Sequence, residues 1–182
     1  MRKLFVVAVL GLAFPWSAFA QESTPKAEVF GGYSYFRASD PTTIHLNGWN
    51  GSIAGNLNDW FGVVGDFSGH YGSPSIFGIG IPFVDVNQHS FLFGPRLSYR
   101  GNDKVTPFGH FLIGISRANA GAFGLSVSDT ALAAAAGGGV DINLNDTVAI
   151  RAVQADYLMT RFQDERQDNL RLSFGVVFRF GR

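Results

Sequence analysis

The chain has 182 residues, no formal net charge, 14% aromatic residues and no cysteine. This excludes a disulfide-stapled fold, offers no electrostatic case for nucleic-acid binding, and provides enough length for one domain. After Ala20 no apolar run reaches 18 residues, so nothing there can cross a bilayer as a helix.

The first residues carry Arg2 and Lys3, the apolar run Leu4 to Phe14, Pro15, and then Ala18-Phe19-Ala20 before Gln21. A basic start, a short apolar core and a small-x-small exit predict a secretory signal peptide over residues 1–20, cleaved after Ala20. Without a cysteine after the cut, lipid acylation is excluded. Removing residues 1–20 leaves 162 residues, and the loss of Arg2 and Lys3 leaves two more acidic than basic groups. Residues 21–26 are polar and read as a short periplasmic tether, with the folded domain over 27–182.

Side chains alternate between the two faces of a strand, so a period of two marks strands along the rest of the chain. Ala27 to Arg37 is the first, with Val29, Tyr33 and Tyr35 on one parity. Its facing is ambiguous, because Phe30 and Phe36 lie on the other. A Ser-Asp-Pro-Thr-Thr loop follows. Leu46 to Leu57 is the second strand and reverses at Asn58-Asp59. Phe61 to Tyr71 is the third, alternating Phe61, Val63, Phe67 and Tyr71 with Asp66, Ser68 and His70.

Gly72 to Asn87 is a long connection, in which Phe77, Ile79, Ile81 and Phe83 alternate with Gly78, Gly80 and Pro82. Such an apolar ribbon either presents an unpaired edge to another protein or forms a hairpin continuing the sheet. Gln88 to Tyr99 is the fourth strand, with a bulge expected at Pro95, which has no N–H to donate. The second short turn holds Gly101-Asn102-Asp103.

Val105 to Arg117 is the fifth strand, and Ala118 to Thr130 reads as a second long loop. Ala131 to Leu144 is the sixth, where Gly137-Gly138-Gly139 signals bending or close backbone approach. After Asn145-Asp146, Thr147 to Leu158 is the seventh. There Arg151 is odd while Gln154 and Asp156 are even, so either a bulge intervenes or a polar group lies outside the apolar band. Met159 to Asp168 reads as a charged loop. Asn169 to Phe180 is the last strand: Leu170, Leu172, Phe174, Val176, Phe178 and Phe180 share one face.

Eight strands of about 10 to 13 residues match the length needed to cross a bilayer with a barrel tilt of roughly 45°. Short and long connections alternate, as expected for a barrel with two unlike rims. After Ala20 the only lysines are Lys26 and Lys104, whereas a soluble protein covers itself with long charged side chains. The polar parity is instead rich in Gly, Ser, Ala and Asn, small enough to line a narrow barrel. The predicted fold class is all-β, an eight-stranded antiparallel up-and-down transmembrane β-barrel. Trp49, Tyr71, Tyr157 and Phe162 at one end of the strands, and Trp60, Phe61, Tyr99 and Phe108 at the other, are candidate aromatic girdles.

The strand parities place Glu28, Asp66, His70, Arg96, His110, Asp141, Arg151, Arg171 and Arg179 inside, either as a salt-bridged plug or as a narrow conduit. The histidines at 45, 70, 89 and 110 have no metal-site spacing, and no cofactor motif is present. His89-Ser90, or His70 with Ser68, are the nearest pairs to a catalytic arrangement, and neither is specific.

The last strand carries the pattern polar-x-Gly-x-x-aromatic-x-aromatic as Ser173, Gly175, Phe178 and Phe180. With Phe30-Gly31-Gly32-Tyr33-Ser34-Tyr35 and Gly62-Val63-Val64-Gly65-Asp66-Phe67, it makes the chain resemble the eight-stranded OmpA-like and OmpX-like outer-membrane barrels along its whole mature length. Gly181 and Arg182 follow Phe180, where many members end on the aromatic. The resemblance implies a bacterial outer-membrane protein whose last strand is read by the barrel-assembly machinery. It also implies small barrels that act on lipid A as an enzymatic alternative, and no peptidoglycan-binding domain after Arg182. The expected role is structural or surface-interacting rather than enzymatic, with a narrow porin-like channel as the alternative. Expected surroundings are outer-membrane lipid and lipopolysaccharide, and an extracellular protein or surface contacted through the loops. The expected state is a monomer.

Overall fold

The computed structural model describes residues 24–38, 44–72, 75–76, 79–80, 84–122, 125–162 and 165–181. The predicted signal peptide therefore lies outside the described residues. The strands are β1 (Ala27–Ala38), β2 (Ile44–Asn56), β3 (Phe61–Gly72), β4 (Val84–Ser98), β5 (Val105–Ala122), β6 (Leu125–Asn143), β7 (Val148–Phe162) and β8 (Glu165–Phe180). Each pairs antiparallel with its neighbours in sequence, and β1 pairs with β8 from Ala27↔Phe180 to Ala38↔Asn169, which closes the barrel. Closure removes both sheet edges, so every strand finds backbone partners without water.

Three short turns share one rim with the described terminal residues, and all three are built alike. Asn58 Oδ1 accepts from the backbone N–H of Trp60 (3.1 Å) and Phe61 (2.7 Å). Asn102 does the same for Lys104 and Val105, and Asn145 for Thr147 and Val148. An asparagine that satisfies its own turn needs no tertiary help to reverse the chain, and each is followed by Asp in the sequence. We call this the turn rim and the opposite one the loop rim.

The outer face is apolar: Trp49, Ile53, Val63, Phe91, Phe93, Phe111, Ile113, Ile115, Leu172, Phe174 and Val176 are all exposed. The first strand's ambiguity resolves with Val29 and Tyr33 outward and Phe30 and Phe36 buried inside. Phe36 joins an inner apolar cluster; each parity of the strand carries two aromatics, so their count was no guide to its facing.

Four expectations need correction. The registers on either side of Gly94-Pro95 are the same, so no bulge exists there. The β4–β5 ladder runs Phe93↔Ile113 and resumes at Arg96↔His110 without a shift, and the missing proline donor costs rungs rather than register. The supposed loop Ala118 to Thr130 is mostly strand, paired from Arg117↔Thr130 to Ala122↔Leu125. Met159 to Asp168 is likewise mostly strand, with Asp168↔Met159 through Glu165↔Phe162 paired. Beyond the apolar band both faces meet water, so a strand continues there without the alternation that marks it in sequence. Last, Phe108 is 7% exposed and faces inward, on the same parity as His110 and Leu112, and is no part of a girdle. Trp49, Tyr71 and Tyr157 toward the loop rim, and Trp60 and Tyr99 at the turn rim, do face outward. The side chain of Phe162 lies outside the description.

In the connection between β3 and β4, Ser75–Ile76 pairs with Ile79–Gly80 as a two-stranded sheet separate from the barrel. It is a short antiparallel ladder, Ser75↔Gly80 and Ile76↔Ile79. Phe77, Ile81 and Phe83 lie outside the described residues.

Candidate functional site

The seventh strand decides what fills the barrel. Pairing with β6 passes from Val140↔Val153 to Asp141↔Arg151, and pairing with β8 from Ser173↔Gln154 to Gly175↔Arg151. β7 thus carries one extra residue, and Ala152 and Val153 are both exposed. This bulge turns Arg151 inward on one side of it and Gln154 and Asp156 inward on the other. The broken parity in the sequence is a device for placing three polar groups in the interior.

Toward the turn rim, four guanidiniums surround two carboxylates. Glu28 accepts from Arg96 Nη1 (2.8 Å) and Arg100 Nη2 (2.9 Å), and Arg179 Nε is 3.5 Å away. Asp141 accepts two bonds from Arg151, at 2.8 and 3.1 Å, and a longer one of 3.3 Å from Arg96. Arg179 Nη2 donates to Asn143 Oδ1 at 2.7 Å. Phe108 lies under both Arg96 and Arg151, with guanidinium carbons 4.2 and 4.3 Å from its ring centroid, and Phe30 lies 4.2 Å from Arg151. The aromatic faces supply electrostatic attraction to weakly hydrated cations that have left water.

A second knot is centred on Arg171, whose side chain is completely buried. It donates to Asp66 Oδ1 (2.7 Å), to Asp156 Oδ2 (2.7 and 3.0 Å) and to Ser68 Oγ (3.0 Å). His110 Nε2 is 2.7 Å from Asp156 Oδ1, and Asn50 Nδ2 donates to Asp66 Oδ2 at 2.9 Å. Gln154 joins the two knots, accepting from Arg151 at 2.7 Å and donating to Asp156 at 2.8 Å. Gly137 makes room for this arrangement: a Cβ there would lie 2.2 Å from Asp156 Oδ1 and 2.4 Å from the Ala155 carbonyl oxygen.

Apolar side chains fill much of the remaining interior. Leu92, Leu112 and Leu158 are buried together with Phe36, Leu46, Val64, Ala133 and Ala135. These apolar groups stand beside buried polar ones: Leu92 pairs across from Asp66, and Leu158 across from Asn169.

Glu28, Asp66, Arg96, Asp141, Arg151, Arg171 and Arg179 are therefore all buried, and all belong to the two knots. Sequence reasoning left out Asp156 and Gln154, hidden by the bulge, and Arg100, assigned to a turn. It also left out the platform role of Phe108, which the parity of His110 could have disclosed. His89 and Ser90 face opposite sides, His89 exposed and Ser90 buried against Ser116 at 3.0 Å. His70 is buried 2.9 Å from Ser34 Oγ rather than on Ser68, which Arg171 engages. Among the described residues, no group of three or more His, Cys, Asp or Glu is placed to hold a metal ion. Of the last-strand pattern, Ser173 is buried, while Phe178 and Phe180 are exposed on the outer face.

A model of the outer membrane protein beta-barrel domain family matches residues 6–180. The chain belongs to that family. Comparison with curated proteins returns no match. Among solved structures, this outer-membrane barrel resembles Ail, the attachment invasion locus protein of Yersinia pestis, at 22% identity and a TM-score of 0.58, covering 86% of this chain and 100% of that one. It resembles Neisserial surface protein A at 17% identity and a TM-score of 0.68, covering 87% and 100%. OprG from Pseudomonas aeruginosa matches at 11% identity and a TM-score of 0.58, covering 88% and 98%. These likenesses concern the fold.

Proposed function

We propose that this protein is a closed outer-membrane barrel of structural or surface-interaction type, with residues 1–20 removed as a signal peptide and 21–26 as a periplasmic tether. The turn rim and both termini face the periplasm and the loop rim faces outward. The barrel stands as a monomer in outer-membrane lipid and lipopolysaccharide. Ser173, Gly175, Phe178 and Phe180 serve as the signal read by the barrel-assembly machinery. The observation that carries the closed reading is Arg171, which ties β8 to β3 through Asp66 and to β7 through Asp156 and so crosses the lumen with paired charge. A non-enzymatic role is supported by the separation of His89 from Ser90 and by the burial of His70.

The test is conductance of the refolded mature chain in a planar bilayer, with the mobility shift between heated and unheated samples on a denaturing gel as proof of folding. The expected result is a folded barrel without discrete current steps. Steps would make the interior a narrow channel for small solutes, with Arg96, Arg171 and Arg179 as its selectivity residues.

Surface attachment through the loop segment of Phe77, Ile79, Ile81 and Phe83 is supported by the Ser75–Ile76 and Ile79–Gly80 ladder, which stands apart from the barrel sheet. Ail is the attachment invasion locus protein of Yersinia pestis and has been solved with the heparin analogue sucrose octasulfate at a TM-score of 0.59 and 22% identity. Deleting residues 74–83 should leave the barrel folded and abolish cell or matrix binding; unchanged binding would remove this role.

A further inference from the structure

The charges of the interior knot nearest the turn rim do not balance. Arg96, Arg100 and Arg151 answer Glu28 and Asp141, so guanidiniums outnumber carboxylates even before Arg179, 3.5 Å from Glu28 Oε1, is counted. The turn aspartates Asp59, Asp103 and Asp146 lie exposed on the same rim, and none of them is an ion-pair partner of Arg96 or Arg100. A guanidinium does not shed its proton on burial, so the surplus calls for a counterion.

Hydrogen-bond donors are in surplus as well. Arg96 Nε and Arg100 Nε are shut away from solvent and make no hydrogen bond, and the whole Arg96 side chain is only 2% exposed. Buried donors of this kind are answered by water or by an ion. Beside unbalanced positive charge an anion gains more than a water molecule does.

The local sequence gathers these donors in one place. Arg96, Ser98 and Arg100 follow at alternate positions from β4 into its turn, which sets them on the inner side of the chain, and Ser98 is buried. Both arginines grip the same carboxylate, Arg96 on Glu28 Oε2 and Arg100 on Glu28 Oε1, so one acidic group fixes two guanidinium forks side by side. Phe108 covers one face of the Arg96 guanidinium at 4.2 Å, which leaves its N–H edge to meet a ligand. Arg100, 14% exposed, is the outermost member and stands nearest the rim.

We propose that Arg96 and Arg100, held by Glu28, form the core of a binding site for a small oxyanion of the phosphate class, which enters at the turn rim. The planar fork of each guanidinium matches pairs of phosphate oxygens, and the Ser98 hydroxyl lies between the two arginines in sequence as a further donor. Binding does not depend on the membrane orientation proposed above, which decides only that the periplasm supplies the anion.

The experiment titrates inorganic phosphate into the refolded mature chain in maltoside micelles, which contain no phosphate of their own, and follows binding by calorimetry. Wild type should bind phosphate saturably, and chloride at equal ionic strength should not displace it. Arg100→Gln should weaken binding about tenfold, with Arg100→Lys in between, whereas Arg117→Gln on the exposed loop-rim surface should bind as wild type does. The gel shift first shows each variant folded. If Arg100→Gln gives no folded band, wild type alone decides: phosphate must raise its unfolding midpoint where chloride does not. No saturable binding by wild type, undiminished binding by folded Arg100→Gln, an equal loss in Arg117→Gln, or displacement by chloride would each overturn the proposal.

Discussion

Arg171 Nη1 lies 2.7 Å from Asp66 Oδ1, although the residues are 105 positions apart and stand on strands that are not neighbours in the barrel. With Asp156 on the other side, one guanidinium serves two carboxylates, and all three groups are shut away from water. Removing the arginine alone leaves two buried carboxylates with only Asn50, Gln154 and His110 to answer them. Arg171→Met should cost about 3–5 kcal/mol. Denaturant titration of the vesicle-folded protein measures it, and adding Asp66→Asn and Asp156→Asn to the same chain should recover most of the loss. No recovery would mean that packing, not charge, is what the arginine provides.

The lipid face should show a gradient with depth. Phe174 is 56% exposed and near the middle of β8, whereas Phe178 lies closer to the turn rim. Phe174→Arg should cost about 2–4 kcal/mol and Phe178→Arg closer to 1 kcal/mol or less. Reversal of that order in equilibrium unfolding would show that the apolar band is centred elsewhere.

Phe108 supports two arginines through its ring face. Phe108→Leu keeps an apolar side chain but removes that face, and the expected loss is about 2 kcal/mol. Combining it with Arg96→Met should give less than the sum of the two single losses, because the ring then has one fewer cation to attract. Strict additivity would reduce Phe108 to a space-filler.

At Gly137 the obstacle is spatial. A methyl group there meets Asp156 Oδ1 at 2.2 Å and the Ala155 carbonyl oxygen at 2.4 Å. Gly137→Ala should therefore destabilise the barrel by about 1–3 kcal/mol and displace Asp156 from His110. Histidine side-chain NMR checks the second part, since the His110 resonance should move while that of His45 stays in place.

Deleting Ala152 removes the extra residue of β7. Either Arg151 or the pair Gln154 and Asp156 must then face lipid, so the shortened chain should fail to give the folded gel band. A normal band would show that the bulge is dispensable.

The strands were legible because lipid on one side and a narrow lumen on the other impose strict alternation, as in Leu170 to Phe180. The three turns were legible because each asparagine caps its own turn. Where the environment is the same on both faces the signal vanishes, which is why β5 and β6 run well past Arg117 and begin before Ala131. The interior charges were visible by parity up to the bulge. Beyond it, Asp156 could not be placed, since one extra residue exchanges inside for outside without changing the composition. The partnership of Arg171 with Asp66 was never available from the sequence, because it depends on the curvature of the closed sheet rather than on any local spacing.

The seam between β1 and β8 joins residues from opposite ends of the domain over twelve rungs, and at its centre Gly32 and Gly175 face each other where a Cβ on either would collide with the opposing backbone. Forming this seam ahead of the six intervening strands would close a very long loop with no neighbouring contacts to offset its entropy, which favours the seam as the last step. A half-assembled intermediate would carry two raw hydrogen-bonding edges in a medium with no water to satisfy them. Such an intermediate is a hazard to the cell, and the first and last strands must be held apart from other chains until they meet each other.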